Sequence, residues 1–139
     1  MKNYREFMDE LLMGKNDYVE WADRQDAWCD YFHRNVAPGD GVTVNYWTDS
    51  HACTVLKRTA NTLTIQRDKA TLSPGFHPDF VPGGFAGTVI NQNEQSYTYE
   101  PDPDGQIMKA YWSDRKGGWY VDKCLRLSFG RHEFYDYNF

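Results

Sequence analysis

The chain is poor in the motifs that identify enzymes. No GxSxG, HExxH, GxxxxGK[ST] or GxGxxG occurs among its 139 residues. Cysteine is scarce: Cys29, Cys53 and Cys124 are widely spaced, odd in number and form no CxxC pair. That argues against a disulfide framework and a zinc site and leaves buried free thiols as the expectation. No apolar run approaches the roughly 20 residues a membrane-spanning helix needs. The N-terminal MKNYREFMDE carries acids where the apolar core of a secretory leader would stand, so a cytoplasmic protein is expected. Positive charge is also short, with a net charge of −5, which argues against a surface that wraps nucleic acid on all sides. No internal repeat and no low-complexity segment occurs.

Aromatic residues are plentiful, at 17 % of the chain. They fill the core of a small β domain, or some of them form a stacking platform for a ligand. The chain is organised around 38–68. Pro38-Gly39-Asp40-Gly41 is a turn cluster that blocks any helix entering from before it. Three short runs of period two follow. Val42, Val44 and Tyr46 belong to the first, Cys53 and Val55 to the second, Leu63 and Ile65 to the third. Short polar links at 48–51 and 59–61 join them into a three-stranded antiparallel meander. The first two runs carry apolar residues on both faces, as strands covered on both sides do.

Before the meander, the spacing of Tyr4, Phe7, Met8, Leu11 and Leu12 predicts a helix over 3–13, ended by Gly14. A second helix is expected over about 17–34, opened by an Asp17/Glu20 capping box. Its apolar stripe, with Trp28, Cys29 and Phe32, docks on the sheet or on a second copy of the chain. After the meander, 69–87 holds three prolines and four glycines, a density that predicts no regular element. Its phenylalanines predict an ordered loop pinned over the sheet. A short strand at 88–90, a hairpin of 96–100 with 106–113, and two strands at 119–122 and 125–129 complete the pattern. The tail RHEFYDYNF is too aromatic for water and is expected to close the sheet as an edge strand or to pack across its open end. The fold class is therefore α+β, mainly β: a helical arm (1–36), then an antiparallel SH3-like small barrel or strongly curved sheet (37–139).

Three clusters offer chemistry. Asp49-Ser50-His51 with Cys53 gathers a carboxylate, a hydroxyl, an imidazole and a thiol, but neighbours on a tight turn rarely align into one relay. In the tail, Arg131, Glu133 and Tyr135 share one strand face. That face would receive a phosphate and stack a base, or merely pair Arg131 with Glu133. Third, Lys57, Arg58, Arg67, Lys69, Arg115, Lys116, Arg126 and Arg131 fall in the β half, while acids dominate the helical arm. A cationic, aromatic-bordered groove is compatible with that asymmetry.

The segments GDGVTVNYWTDSHACTVLKRTANTLTIQRDKATL, PGGFAG, NQNEQSYTYEPDPDG, KAYWS and GRHEFYDYNF make 38–139 resemble a family of small uncharacterised proteins of bacteriophages, prophages and other mobile elements. The resemblance implies a bacterial cytoplasm and an accessory protein acting by binding, often against host defence. It implies no activity, cofactor or catalytic residue. The leading expectation is a non-enzymatic binding protein that blocks a host defence protein or captures a small nucleotide. Its site residues would be Arg58, Phe76, Phe80, Phe85, Arg131 and Tyr135. A nucleic-acid-binding module is the alternative, and a small hydrolase or nuclease using His51 or His132 comes next.

Overall fold

A computed structural model describes residues 1–13, 21–83 and 87–138. Two helices precede a mainly β chain: α1 (Tyr4–Leu12) and α2 (Trp21–Asn35). Asn3 caps α1, its Oδ1 accepting from the Glu6 amide at 2.9 Å. The expected terminator Gly14 and the Asp17/Glu20 capping box lie outside the described residues.

The meander is β1 (Gly41–Asn45), β2 (Ser50–Arg58) and β3 (Thr62–Arg67), antiparallel and in sequence order. Gly39 turns the chain into β1 with a φ of +94°, a left-handed conformation that glycine alone adopts cheaply. Past Asp68, β3 continues as β4 (Lys69–Leu72). There follow β5 (Phe80–Val81), β6 (Thr88–Val89), β7 (Tyr97–Glu100), β8 (Ile107–Ser113), β9 (Gly118–Val121) and β10 (Leu125–Phe129). Six strands close an antiparallel barrel in the order β1-β10-β9-β8-β3-β2. Apart from the excursion between β3 and β8, it is an up-and-down barrel. Its seam is the β1–β10 ladder, with Val42 opposite Phe129 and Val44 opposite Leu127. Closure removes the sheet edges that invite further pairing.

Period-two alternation points Val42, Val44, Cys53, Val55, Leu63, Ile65, Ala110, Trp119, Val121 and Leu127 into the barrel. Phe32 of α2 and Val36 just beyond its end join that core, so α2 docks on the barrel of its own chain and plugs one end. Trp28 meets Phe129 edge-on at 6.1 Å, and α1 packs outside α2 through Phe7 against Trp28 and Tyr31.

Two sequence expectations are corrected. The 69–87 stretch is not free of regular structure, because β4 pairs with β7 and β5 with β6. The tip of the Phe80 ring abuts Gly87, where a Cβ would collide with its Cζ. Nor do 96–100 and 106–113 form a hairpin. Both run antiparallel to the long β3–β4 strand, β7 against β4 and β8 against β3. Residues 101–106 therefore bulge out of one interrupted strand instead of reversing it. Gln66 holds the bulge through the carbonyls of Pro103 (3.0 Å) and Gly105 (3.1 Å), and the Arg67 amide donates to the Gln106 carbonyl.

The tail forms no edge strand and covers no open end, because the barrel is closed. It crosses the outer face of β1 and β2, joined by a single bridge between Ser50 and Phe134. Thr43 Oγ donates to the Gly130 carbonyl and accepts from the His132 amide. This cover leaves Thr43, Ala52 and Thr54 buried on the outside of the barrel. The expected cover on both faces of β1 and β2 is therefore met at Thr43, Ala52 and Thr54, while Trp47 and Leu56, the large apolar residues of the second face, stay exposed. Among the described residues, no helix is long and apolar enough to cross a membrane.

Candidate functional site

The tail cluster is spent on the fold. Glu133 receives Arg67 through two parallel bonds of 2.6 Å and also accepts from the Ala52 amide at 2.8 Å. Arg131 Nε donates to Asp68 at 2.8 Å, and its Nη2 reaches Thr54 Oγ at 2.9 Å. The Asp68 side chain is fully buried and also accepts from Thr54 at 2.5 Å. Gly41 makes room for this arrangement, since a Cβ there would lie 2.6 Å from the Arg131 guanidinium. Arg131 and Glu133 thus pair with barrel residues and not with each other, and neither is free for a phosphate.

The other expected site residues scatter. Arg58 caps the C-terminal end of α2, donating to the Val36 carbonyl at 2.8 Å beside the Trp119 ring, which fits the negative end of a helix. Phe76 is buried against Tyr137. Phe80 is exposed on β5, and Tyr135 is half-exposed with its ring edge-on to Tyr137 at 4.8 Å. Phe85 lies outside the described residues. These six positions do not assemble into one site among the described residues.

The enzyme-like cluster is also structural. Asp49 Oδ1 accepts from the Asp136 amide, and Ser50 Oγ donates to Asn45. His51 sits 4.8 Å from the Tyr46 ring, and its burial lowers its pKa, helped by the Arg67 charge. Cys53 lies in the core, where burial pushes its thiol up to about 12 and keeps it protonated and unreactive. His132 stands on the tail, so it and His51 belong to different elements. No group of three or more His, Cys, Asp or Glu suited to a metal ion occurs among the described residues.

The opposite outer face is different. On β8 the side chains alternate, so Ile107, Lys109 and Tyr111 point outward while Met108, Ala110 and Trp112 point inward. Register places Tyr111 opposite Tyr120 of β9, and Tyr120 opposite Arg126 of β10. Within this row Tyr111 is the open position, 56 % exposed. A groove of about 400 Å³ lies here, lined by Tyr111, Trp112, Ser113, Arg115, Lys116, Tyr120 and Lys123. Three cations and no acid line it.

These charges are not equivalent. Arg126 is committed, donating to Tyr120 Oη at 2.8 Å and to the Gly117 carbonyl at 3.2 Å. Lys116 lies over the Tyr120 ring at 4.7 Å and donates to the Lys123 carbonyl at 2.6 Å. Tyr120 is thus covered by its own cations, and Tyr111 is the open ring. Trp112 backs the groove, fixed by Asp114 on its Nε1 and by His33 stacked on it at 3.8 Å. Arg115 and Lys123 make no ion pair among the described residues. No family model, no curated protein and no solved structure matches the chain. The site therefore rests on its own geometry. The sequence had placed Arg115 and Lys116 among the cations. It missed Tyr111, Tyr120 and Lys123, although the alternation in 119–121 marks Tyr120 as outward.

Proposed function

We propose that the protein is a non-enzymatic binding module that holds a nucleotide-type ligand, a base with phosphate, on the outer face of β8 and β9. One observation carries this: an open tyrosine ring and three cations share a groove with no acid in its lining. A base stacks on Tyr111, and such a contact is worth about 1–3 kcal/mol. Phosphate is received by Arg115 and Lys123, with Lys116 beside them. The groove volume suits a ligand of this size. In the bacterial cytoplasm that the mobile-element resemblance implies, such capture would withdraw a nucleotide signal from host defence.

Calorimetry against nucleoside mono-, di- and triphosphates at low salt tests this. Binding is expected to weaken at least about tenfold in Tyr111→Ala and much less in Tyr111→Phe. No binding of any nucleotide at millimolar concentration overturns the assignment.

A second reading has its own observation. Trp47 is 97 % exposed at the tip of the β1–β2 hairpin, beside Tyr46. Exposed tryptophans on rigid turns anchor protein interfaces, and a host defence protein is the partner this would serve. Loss of a host-protein complex on Trp47→Ala, with nucleotide binding unchanged, would favour it.

A further inference from the structure

The groove does not end at Lys123. A second hollow of about 560 Å³ adjoins it at the start of β8, lined by outward Ile107 and Lys109, by inward Met108 and Val121, and by Tyr46 and Asp122. Tyr111 and Lys123 border both hollows. We infer that the two form one track for single-stranded nucleic acid several nucleotides long, running along β8 from Arg115 to Lys109. This rests on the nucleotide reading above and extends it from a monomer to a strand.

Three observations support the track. First, length: the seven residues of β8 extend about 20 Å at strand rise, more than one nucleotide fills. Second, the order of chemistry: Lys109, the open Tyr111 ring and Arg115 follow one another on the outer side. A strand presents phosphate and base in such alternation. Ile107 adds an apolar surface 59 % exposed. Asp122 is the acid on the path, so bases and not phosphates are expected beside it.

Third, Lys123 stands where the fold would be easier without a side chain. Asp122 and Lys123 form the β9–β10 turn with φ values of 52° and 65°. Both are left-handed; Asp tolerates this, and the second position favours glycine. The Lys123 side chain is exposed and makes no internal ion pair among the described residues. Lys116 Nζ holds its carbonyl at 2.6 Å, but no ion pair among the described residues engages its ammonium, and Lys123 sits at the junction of the two hollows. An ammonium shared by consecutive phosphates explains it.

Fluorescence anisotropy of the full chain with labelled oligothymidylates one to six nucleotides long tests the track. Affinity is expected to rise at least about tenfold between one and four nucleotides. Duplex DNA of equal length should bind more weakly. Lys109→Ala and Ile107→Ala should lower tetranucleotide affinity several-fold while leaving thymidine monophosphate unchanged. Lys123→Gly should lower both and raise the melting temperature. If one nucleotide binds as tightly as four and Lys109→Ala has no effect, the track is wrong and the single-nucleotide site stands. If neither binds, both proposals fall. Equal affinity for duplex overturns the single-strand assignment.

Discussion

The barrel has two outer faces that use the same residue types in opposite ways. Over β1 and β2, arginines and acids are matched and shut in: Arg67 with Glu133, Arg131 with the buried Asp68. Over β8 and β9, Arg115 and Lys123 face solvent beside an uncovered tyrosine. The first face is closed by the tail, and no segment among the described residues closes over Tyr111 on the second. An arginine in a phosphate-like setting is therefore a site only if the fold has not already given it a carboxylate. The tail, the region of this chain most suggestive of a ligand, is what the folded protein consumes as its own ligand.

Opening the closed face should have the largest effects. Asp68→Ala strips the counter-charge from Arg131 and the acceptor from Thr54. It should cost about 3 kcal/mol, the low end for a broken buried pair because Arg131 is partly exposed. Urea unfolding measures it, and a loss well under 1 kcal/mol would mean the tail is not fastened there. Glu133→Gln keeps the shape but weakens the fork to Arg67, with an expected loss of about 2 kcal/mol. Faster hydrogen exchange at the Ala52 amide should accompany it. On the open face the sign reverses. Lys123→Gly should stabilise by about 1 kcal/mol through relief of the left-handed lysine while weakening ligand binding. A destabilised Lys123→Gly protein would remove the argument that this side chain is kept for contact with a ligand.

The smallest effects near neutrality come from titration. Burial holds the Cys53 thiol at about 12, and burial also raises Tyr97 to about 12. Above pH 9 the unfolded thiol loses its proton and the folded one keeps it. Stability should therefore fall as pH rises from about 9 towards 12. His51 works on the acid side. Its folded pKa is lowered, so its contribution is present above 6.5 and is lost as pH falls through the lowered value. Denaturant midpoints across pH 5–11 report both, and a midpoint flat above pH 9 would contradict the buried Cys53. Thiol reagents should label exposed Cys124 first and Cys53 only on unfolding.

Much of the fold was legible where the signal is local. The period-two runs at 42–46, 53–55 and 63–65 are β1, β2 and β3, and the helical spacing at 4–12 is α1. The failure at 96–113 has a physical cause. Pro101, Pro103 and Gly105 mark a turn, but turn residues serve a bulge as well as a reversal, and only the partner strand decides. Here that partner is the long β3–β4 strand, which gives β7 and β8 separate stretches of one edge. The candidate site was half legible: cations and aromatics were counted correctly, but their spending was not. Arg126 and Arg58 look like Arg115 in sequence, yet both are committed to carbonyls inside the fold.

By itself the sequence determined the alternation of strands, the apolar stripe of the second helix and the aliphatic inward rows of the core. These depend on side-chain periodicity and on local backbone preference. Tertiary structure alone decided that the tail lies across β1 and β2, that Arg131 meets Asp68, and that Tyr111 remains open. Each of these joins residues distant in the chain. Which charge meets which, and which ring stays uncovered, is settled by closure of the barrel and the path of the tail, and neither is written in any short stretch.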